Sequence, residues 1–202
     1  MKLLTMAIVF ITIAGNTSGQ QTNWFTDPRD GKTYKTVTIG KQTWMAQDLN
    51  YNAPTGSWCY KEDSSYCKKL GRRLYNWLAA MESCPPGWHL PSIDEWTELI
   101  NYLGGNDVAG GKLKAIKGWN DSNISATNSS GFSALPGGYR NYGGIFGGEG
   151  TEGYWWSSTE RSPGAWAFSG AWYFSMRYDN NVINKYGSNH QKAGFSVRCV
   201  KN

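Results

Sequence analysis

The chain has little charge and few groups that do chemistry. Only 17% of its 202 residues are Asp, Glu, Lys or Arg, the formal net charge is +5, and no basic run exceeds a pair. Nothing in that pattern makes an electrostatic footprint for nucleic acid. Histidine occurs twice, as His89 and His190, and no Cys-x-x-Cys pair exists, so a zinc site lacks its usual ligands. The sequences G-x-S-x-G and H-E-x-x-H are absent, which removes the simplest hydrolase readings. No apolar run reaches the ~20 residues that span a bilayer. The longest, Leu3–Ala14, follows Lys2 and precedes the small residues Thr17 and Gly19. This predicts a signal peptide over residues 1–19, cleavage before Gln20, and an exported mature chain, secreted or held at the cell surface without a membrane span.

Aromatics and glycine are plentiful. The chain holds 11 Trp, 12 Tyr and 7 Phe beside 25 Gly. That balance favours large side chains packed around many turns over a helical bundle. Cys59, Cys67, Cys84 and Cys199 are even in number, which in an exported chain suits disulfides and allows three pairings. Cys59 and Cys67 flank a short polar segment suited to a local bridge, which leaves Cys84 with Cys199. A loop that long constrains the unfolded chain by about 4–5 kcal/mol in the entropy model.

After a short leader over residues 20–29, Thr33–Ile39 alternates as a strand, and Gly40-Lys41 turns into a hairpin partner at Gln42–Ala46. Leu70, Leu74, Trp77, Leu78 and Met81 fall at helical spacing and predict a helix over Leu70–Met81. Ser92 with Glu95 forms a capping box, Trp96, Leu99, Ile100 and Leu103 make one apolar face, and Gly104-Gly105 ends this second helix. Lys112–Lys117 suggests a helical turn with Leu113 and Ile116 buried. Strands are expected at Phe132–Leu135, Tyr154–Ser158, Trp166–Phe168, Ala171–Tyr178, Val182–Tyr186 and Gly194–Val200, with a turn at Asp179-Asn180-Asn181. The order predicts one α+β domain over residues 30–202, with two main helices, short antiparallel strands and glycine-rich loops.

Several segments carry a family resemblance. They are Asp30–Tyr34 with Val37–Gly40, Gln42–Ala46 with Asn50-Tyr51, Gly71–Met81, and Cys84-Pro85-Pro86-Gly87-Trp88-His89-Leu90-Pro91-Ser92. They continue with Ala134–Arg140, Trp155-Trp156-Ser157-Ser158-Thr159 and Phe195–Val200. In this order, over residues 30–201, they resemble the Fibrobacter succinogenes major paralogous domain. The resemblance implies export and a C-type-lectin-like fold, distantly related to formylglycine-generating enzymes. It also implies a terminal strand that returns to the start of the domain, tied in by a long disulfide such as Cys84–Cys199. Those enzymes oxidise a cysteine with a pair of active-site cysteines and copper. Cys199 stands alone in the corresponding region, so that activity does not carry over.

No catalytic residue, metal or cofactor is indicated. A glycosidase needs two spaced carboxylates; Glu149, Glu152 and Glu160 beside the glycine-rich loop read as solvated charge. Trp119-Asn120-Asp121 spells a calcium-lectin tripeptide, yet one Asp with one Asn is too few oxygens. The residues that suit recognition lie between Arg140 and His190. Arg140, Tyr142, Trp156, Trp166, Tyr173, Arg177, Asp179, Asn181, Tyr186, Asn189 and His190 combine aromatic faces with Asn, Asp and Arg forks. Trp155 and Trp156 are adjacent in a strand, so only one can be a surface anchor. The expected function is a non-catalytic, metal-free module that binds an extracellular polysaccharide or surface protein. The alternatives are a carbohydrate hydrolase with an unrecognised carboxylate pair and a structural envelope or adhesion protein.

Overall fold

The computed structural model describes residues 22–120, 122–162, 170–188 and 190–202. The expected signal segment, Asp121, Asn189, and Trp166 with the strand expected at Trp166–Phe168 lie outside the described residues. No helix among the described residues is long and apolar enough to cross a membrane.

The first sheet starts before the expected boundary. Thr22–Thr26 (β1), in the stretch expected as a leader, pairs antiparallel with Thr33–Ile39 (β2). β2 turns at Gly40-Lys41 into Gln42–Met45 (β3), with Ile39 opposite Gln42. Gly40 has φ +61, a left-handed conformation that favours glycine, and a Cβ there would crowd the exposed Tyr102 ring at 3.0 Å. Ser57–Trp58 (β4) leads through a 3-10 turn at Tyr60–Glu62 to the helix Ser64–Leu70 (α1). Leu74–Tyr75 (β5) pairs back on β4, and Trp77–Ser83 (α2) follows.

The helix predicted over Leu70–Met81 is therefore two short helices with a strand between them. Gly71 ends α1 in the left-handed region at φ +62, and the Asn76 side chain starts α2 by accepting from Ala79 N–H at 2.8 Å. Leu74 and Trp77 are buried, while Leu78 and Met81, expected on the same face, are exposed. Trp88–His89 (β6) precedes the helix Ile93–Tyr102 (α3). Both halves of the predicted capping box form at Ser92 and Glu95, and Trp96, Leu99 and Ile100 are buried. After Gly104-Gly105 the chain re-enters a helix at Asn106–Leu113 (α4), earlier than the expected turn at Lys112–Lys117; Leu113 is buried and Ile116 exposed. Four α-helices are described in place of two.

The glycine-rich half builds the second sheet. Gly137–Arg140 (β7), Phe146–Glu149 (β8), Glu152–Arg161 (β9), Gly170–Arg177 (β10) and Ile183–Ser188 (β11) lie in the order β11-β10-β9-β7-β8. β7 pairs parallel with β9, and the other neighbours are antiparallel. Phe132–Leu135, expected as a strand, contributes only a bridge at Ala134. Gly194–Val200 is likewise mostly irregular, with isolated bridges at Gly194, Phe195 and Ser196. Its end, Val200–Lys201 (β12), inserts between β3 and β6.

The second sheet is covered on both faces. Trp155, Phe174, Met176 and Ile183 pack with α3 and α4 residues in one core, and Trp156, Ala171 and Phe195 pack with Tyr75, Trp77 and Leu90 in another. Trp155 and Trp156 do face opposite ways, but both are fully buried. An ion pair joins the sheets: Asp48 Oδ1 accepts from Arg198 Nε at 2.9 Å, Arg198 Nη2 at 2.6 Å and Trp155 Nε1 at 2.8 Å. Arg198 Nη1 also donates to the carbonyls of Met45 and Phe132. The disulfides are Cys59–Cys67 and Cys84–Cys199, and no described cysteine is free, which suits an oxidising environment.

Candidate functional site

Strand register assembles the site. Tyr173 lies opposite Trp156, Ser175 opposite Tyr154 and Arg177 opposite Glu152, while Tyr186 of β11 lies opposite Tyr173. Because side chains alternate along a strand, these residues share one face. Phe195 stacks on Tyr154 with ring centroids 5.2 Å apart and also touches Trp156 and Tyr173. Tyr139 meets Tyr154 edge-on at 5.4 Å. The result is an open groove of about 220 Å³, floored by Tyr139, Tyr154, Tyr173 and Phe195 and rimmed by Asn141, Tyr142, Ser188 and His190. Tyr142 and His190 stack at 4.1 Å on that rim.

The groove lining contains no Asp, Glu, Lys or Arg. Charge sits beside it, already paired. Tyr154 donates its hydroxyl proton to Glu152 Oε2 at 2.8 Å, and Arg177 Nη1 binds Glu152 Oε1 at 2.6 Å. Arg177 grips Asp179 through Nε and Nη2 at 3.2 and 3.1 Å. Burial and the Glu152 carboxylate push the Tyr154 phenol well above its ordinary value, and burial pushes Tyr173 up. Bonding from Arg177 holds the Asp179 carboxyl below the usual carboxylate range.

The structure therefore divides the sequence candidates. Tyr142, Tyr173 and His190 line the groove, and exposed Tyr186 flanks it against Tyr173 at 5.7 Å. Arg177 and Asp179 reach it only through Glu152 and Tyr154. Arg140 points to the other side of β7, stacked on Trp58 at 4.2 Å. Asn181 belongs to a packing contact: its carbonyl accepts from Gly111 N–H, and a Cβ on Gly110 would lie 2.5 Å from that same oxygen. Trp156 is core, its Nε1 donating to the Tyr75 carbonyl at 2.7 Å. Trp166 and Asn189 are outside the described residues.

Six contributors escaped the candidate set: Tyr139, Asn141, Tyr154, Ser188, Ala193 and Phe195. Asn141 and Tyr154 could have been found from their positions beside Tyr142 and two residues before Trp156; the others depend on long-range packing. His89 lies elsewhere, between Glu95 Oε1 at 2.6 Å and Asn202 Oδ1 at 2.7 Å. Among the described residues no three His, Cys, Asp or Glu side chains gather as a metal site.

The family model of the Fibrobacter succinogenes major domain matches residues 37–201, and the chain belongs to that family. No curated protein and no solved structure matches it.

Proposed function

We propose that this chain is an exported, non-catalytic binding module whose tyrosine-lined groove holds an uncharged stretch of extracellular polysaccharide without a metal. The observation that carries this reading is the groove itself. Its aromatic rings offer flat apolar surface to sugar faces, and hydroxyl, amide and imidazole groups at its edge can satisfy sugar hydroxyls. The pairing of Asp179 and Glu152 with Arg177 argues against a hydrolase at this place: an acid catalyst needs a raised carboxyl pKa, and Asp179 is shifted the opposite way. The two disulfides support export. The return of β12 beside β3, locked by Cys84–Cys199, supports a C-type-lectin-like architecture.

The test is binding of residues 20–202 to neutral plant and bacterial polysaccharides, with and without chelator and with reducing ends assayed. Chelator-insensitive binding without product, lost on Tyr173→Ala, is expected. Product release, or binding that survives loss of both Tyr142 and Tyr173, would sink the proposal.

A further inference from the structure

Arg140 carries a charge that no described residue answers. Arg29, Arg177 and Arg198 each pair with an aspartate. The Arg140 side chain makes no hydrogen bond or ion pair among the described residues, and its Nε is buried without an acceptor. Its guanidinium carbon lies over aromatic surface, 4.2 Å from the Trp58 ring centroid and 5.8 Å from that of Phe146. Stacking strips water from the faces of the fork and fixes its plane, while the hydrogen-bonding edge still needs acceptors.

The aromatic surface continues away from Arg140. Phe146 meets Tyr60 edge-on at 5.4 Å, and Tyr60 meets Tyr66 at 5.5 Å. The Lys61 ammonium lies 5.9 Å from the Tyr60 ring and brings a second cation. Lys61 and Glu62 hold φ of 55° and 59°, a left-handed conformation uncommon for consecutive non-glycine residues. Such strain persists where surrounding structure enforces it, and the Cys59–Cys67 bridge closes the segment that contains them.

We propose that Arg140, backed by Trp58 and Phe146 and flanked by the Tyr60–Lys61 turn, is a second binding site that takes a carboxylate-bearing sugar of an acidic glycan. A carboxylate matches the planar fork with two parallel hydrogen bonds. A uronic acid presents that carboxylate on a ring whose apolar face suits the neighbouring aromatics. Arg140 faces away from the groove, so this site stands or falls independently of the groove reading.

The probe is polygalacturonate, compared with its fully methyl-esterified form, titrated calorimetrically at low and high salt. The wild type is expected to bind the acid form, more weakly at high salt, and to discriminate against the ester. Arg140→Met, which keeps the packing on Trp58, and Arg140→Lys, which keeps the charge without the fork, are both expected to weaken binding about tenfold or more. Lys61→Ala, on the exposed turn, is expected to weaken it a few-fold. The proposal is overturned by failure of the wild type to bind, by equal binding of acid and ester, or by unaltered binding in Arg140→Met. Should either Arg140 variant fold poorly in a thermal melt, the ester comparison and Lys61→Ala decide the matter.

Discussion

Tyr142 and His190 stack with their planes 29° apart, joining two loops on the rim of the groove. Both rings are exposed, with Tyr142 at 62%. A ring held by one neighbour on an open rim adds little to folding but offers a ready platform to a ligand. Tyr142→Ala is therefore expected to change unfolding free energy by no more than about 0.5 kcal/mol. Binding to a neutral polysaccharide is expected to fall up to about tenfold, the worth of one aromatic contact. Denaturant titration beside affinity electrophoresis checks both; a large stability loss with unchanged binding would make the pair a structural clasp.

The Asp48–Arg198 pair is fully enclosed, and it joins the segment after β3 to the last turn before β12. Asp48 Oδ1 takes three donors while Oδ2 is buried without one. Removing one partner strands the other charge in the core. Asp48→Leu or Arg198→Met alone is expected to cost about 3–5 kcal/mol, and the double variant less than the sum of the singles, because no lone charge is left. Urea unfolding of the three variants measures the coupling; strict additivity would show that the pair does not act as a unit.

Local signals made part of this architecture legible in advance. The β2–β3 hairpin follows from Gly40 and alternation, α3 from its capping box, the β10–β11 hairpin from Asp179-Asn180-Asn181, and Cys59–Cys67 from its short spacing, which leaves Cys84 with Cys199. The break after Leu70 was hidden because the apolar spacing runs on through it while Gly71 and Asn76 act on the backbone. The groove was half legible. Tyr142, Tyr173 and His190 belong to the aromatic-rich stretch, but burial of the sheet on both faces, which removes Trp156 from the surface, arises from residues far away in sequence. So does the register that sets Tyr154 beside Tyr139 and Phe195.

Asp27 gives the fold an acid limb. It is fully buried, and burial alone would raise its pKa, but hydrogen bonds and charge from Arg29 outweigh burial and leave it below its ordinary value. Arg29 in turn donates to the carbonyls of Ser83 and Cys84, pinning the β1–β2 turn to the end of α2. A depressed carboxyl pKa contributes stability in full above the unfolded value of 3.8. That contribution disappears as pH falls from there through the folded value, because the unfolded chain takes up the proton first. Asp27→Asn is expected to be less stable at pH 7 by about 1–3 kcal/mol and to lose less stability than wild type between pH 5 and pH 2. Parallel acid-denaturation slopes in the two proteins would exclude the role.

Lys114 is enclosed at the end of α4, where its ammonium donates to the carbonyls of Ile124, Arg177 and Asn180 at 2.9, 3.1 and 2.7 Å. Burial pushes its pKa down to about 8, and the charge of Asp179 opposes that shift only in part. The contacts come from the segment after α4 and from both sides of the β10–β11 turn, so one side chain fastens that turn to the helical layer. Lys114→Met keeps the buried methylenes and removes all three bonds. Hydrogen bonds to a charged donor contribute about 1.5–3 kcal/mol each before desolvation is offset, and orphaned carbonyls add to the loss. We expect an overall cost of about 2–4 kcal/mol, within the range of a broken buried network. Hydrogen exchange should localise it, with faster exchange at the Ile124 amide, which donates to the Tyr178 carbonyl at 2.8 Å beside the lysine, and at the Gly111 amide, which donates to the Asn181 carbonyl. Exchange that accelerates uniformly across both sheets would instead make Lys114 a general core residue rather than the fastening of this turn.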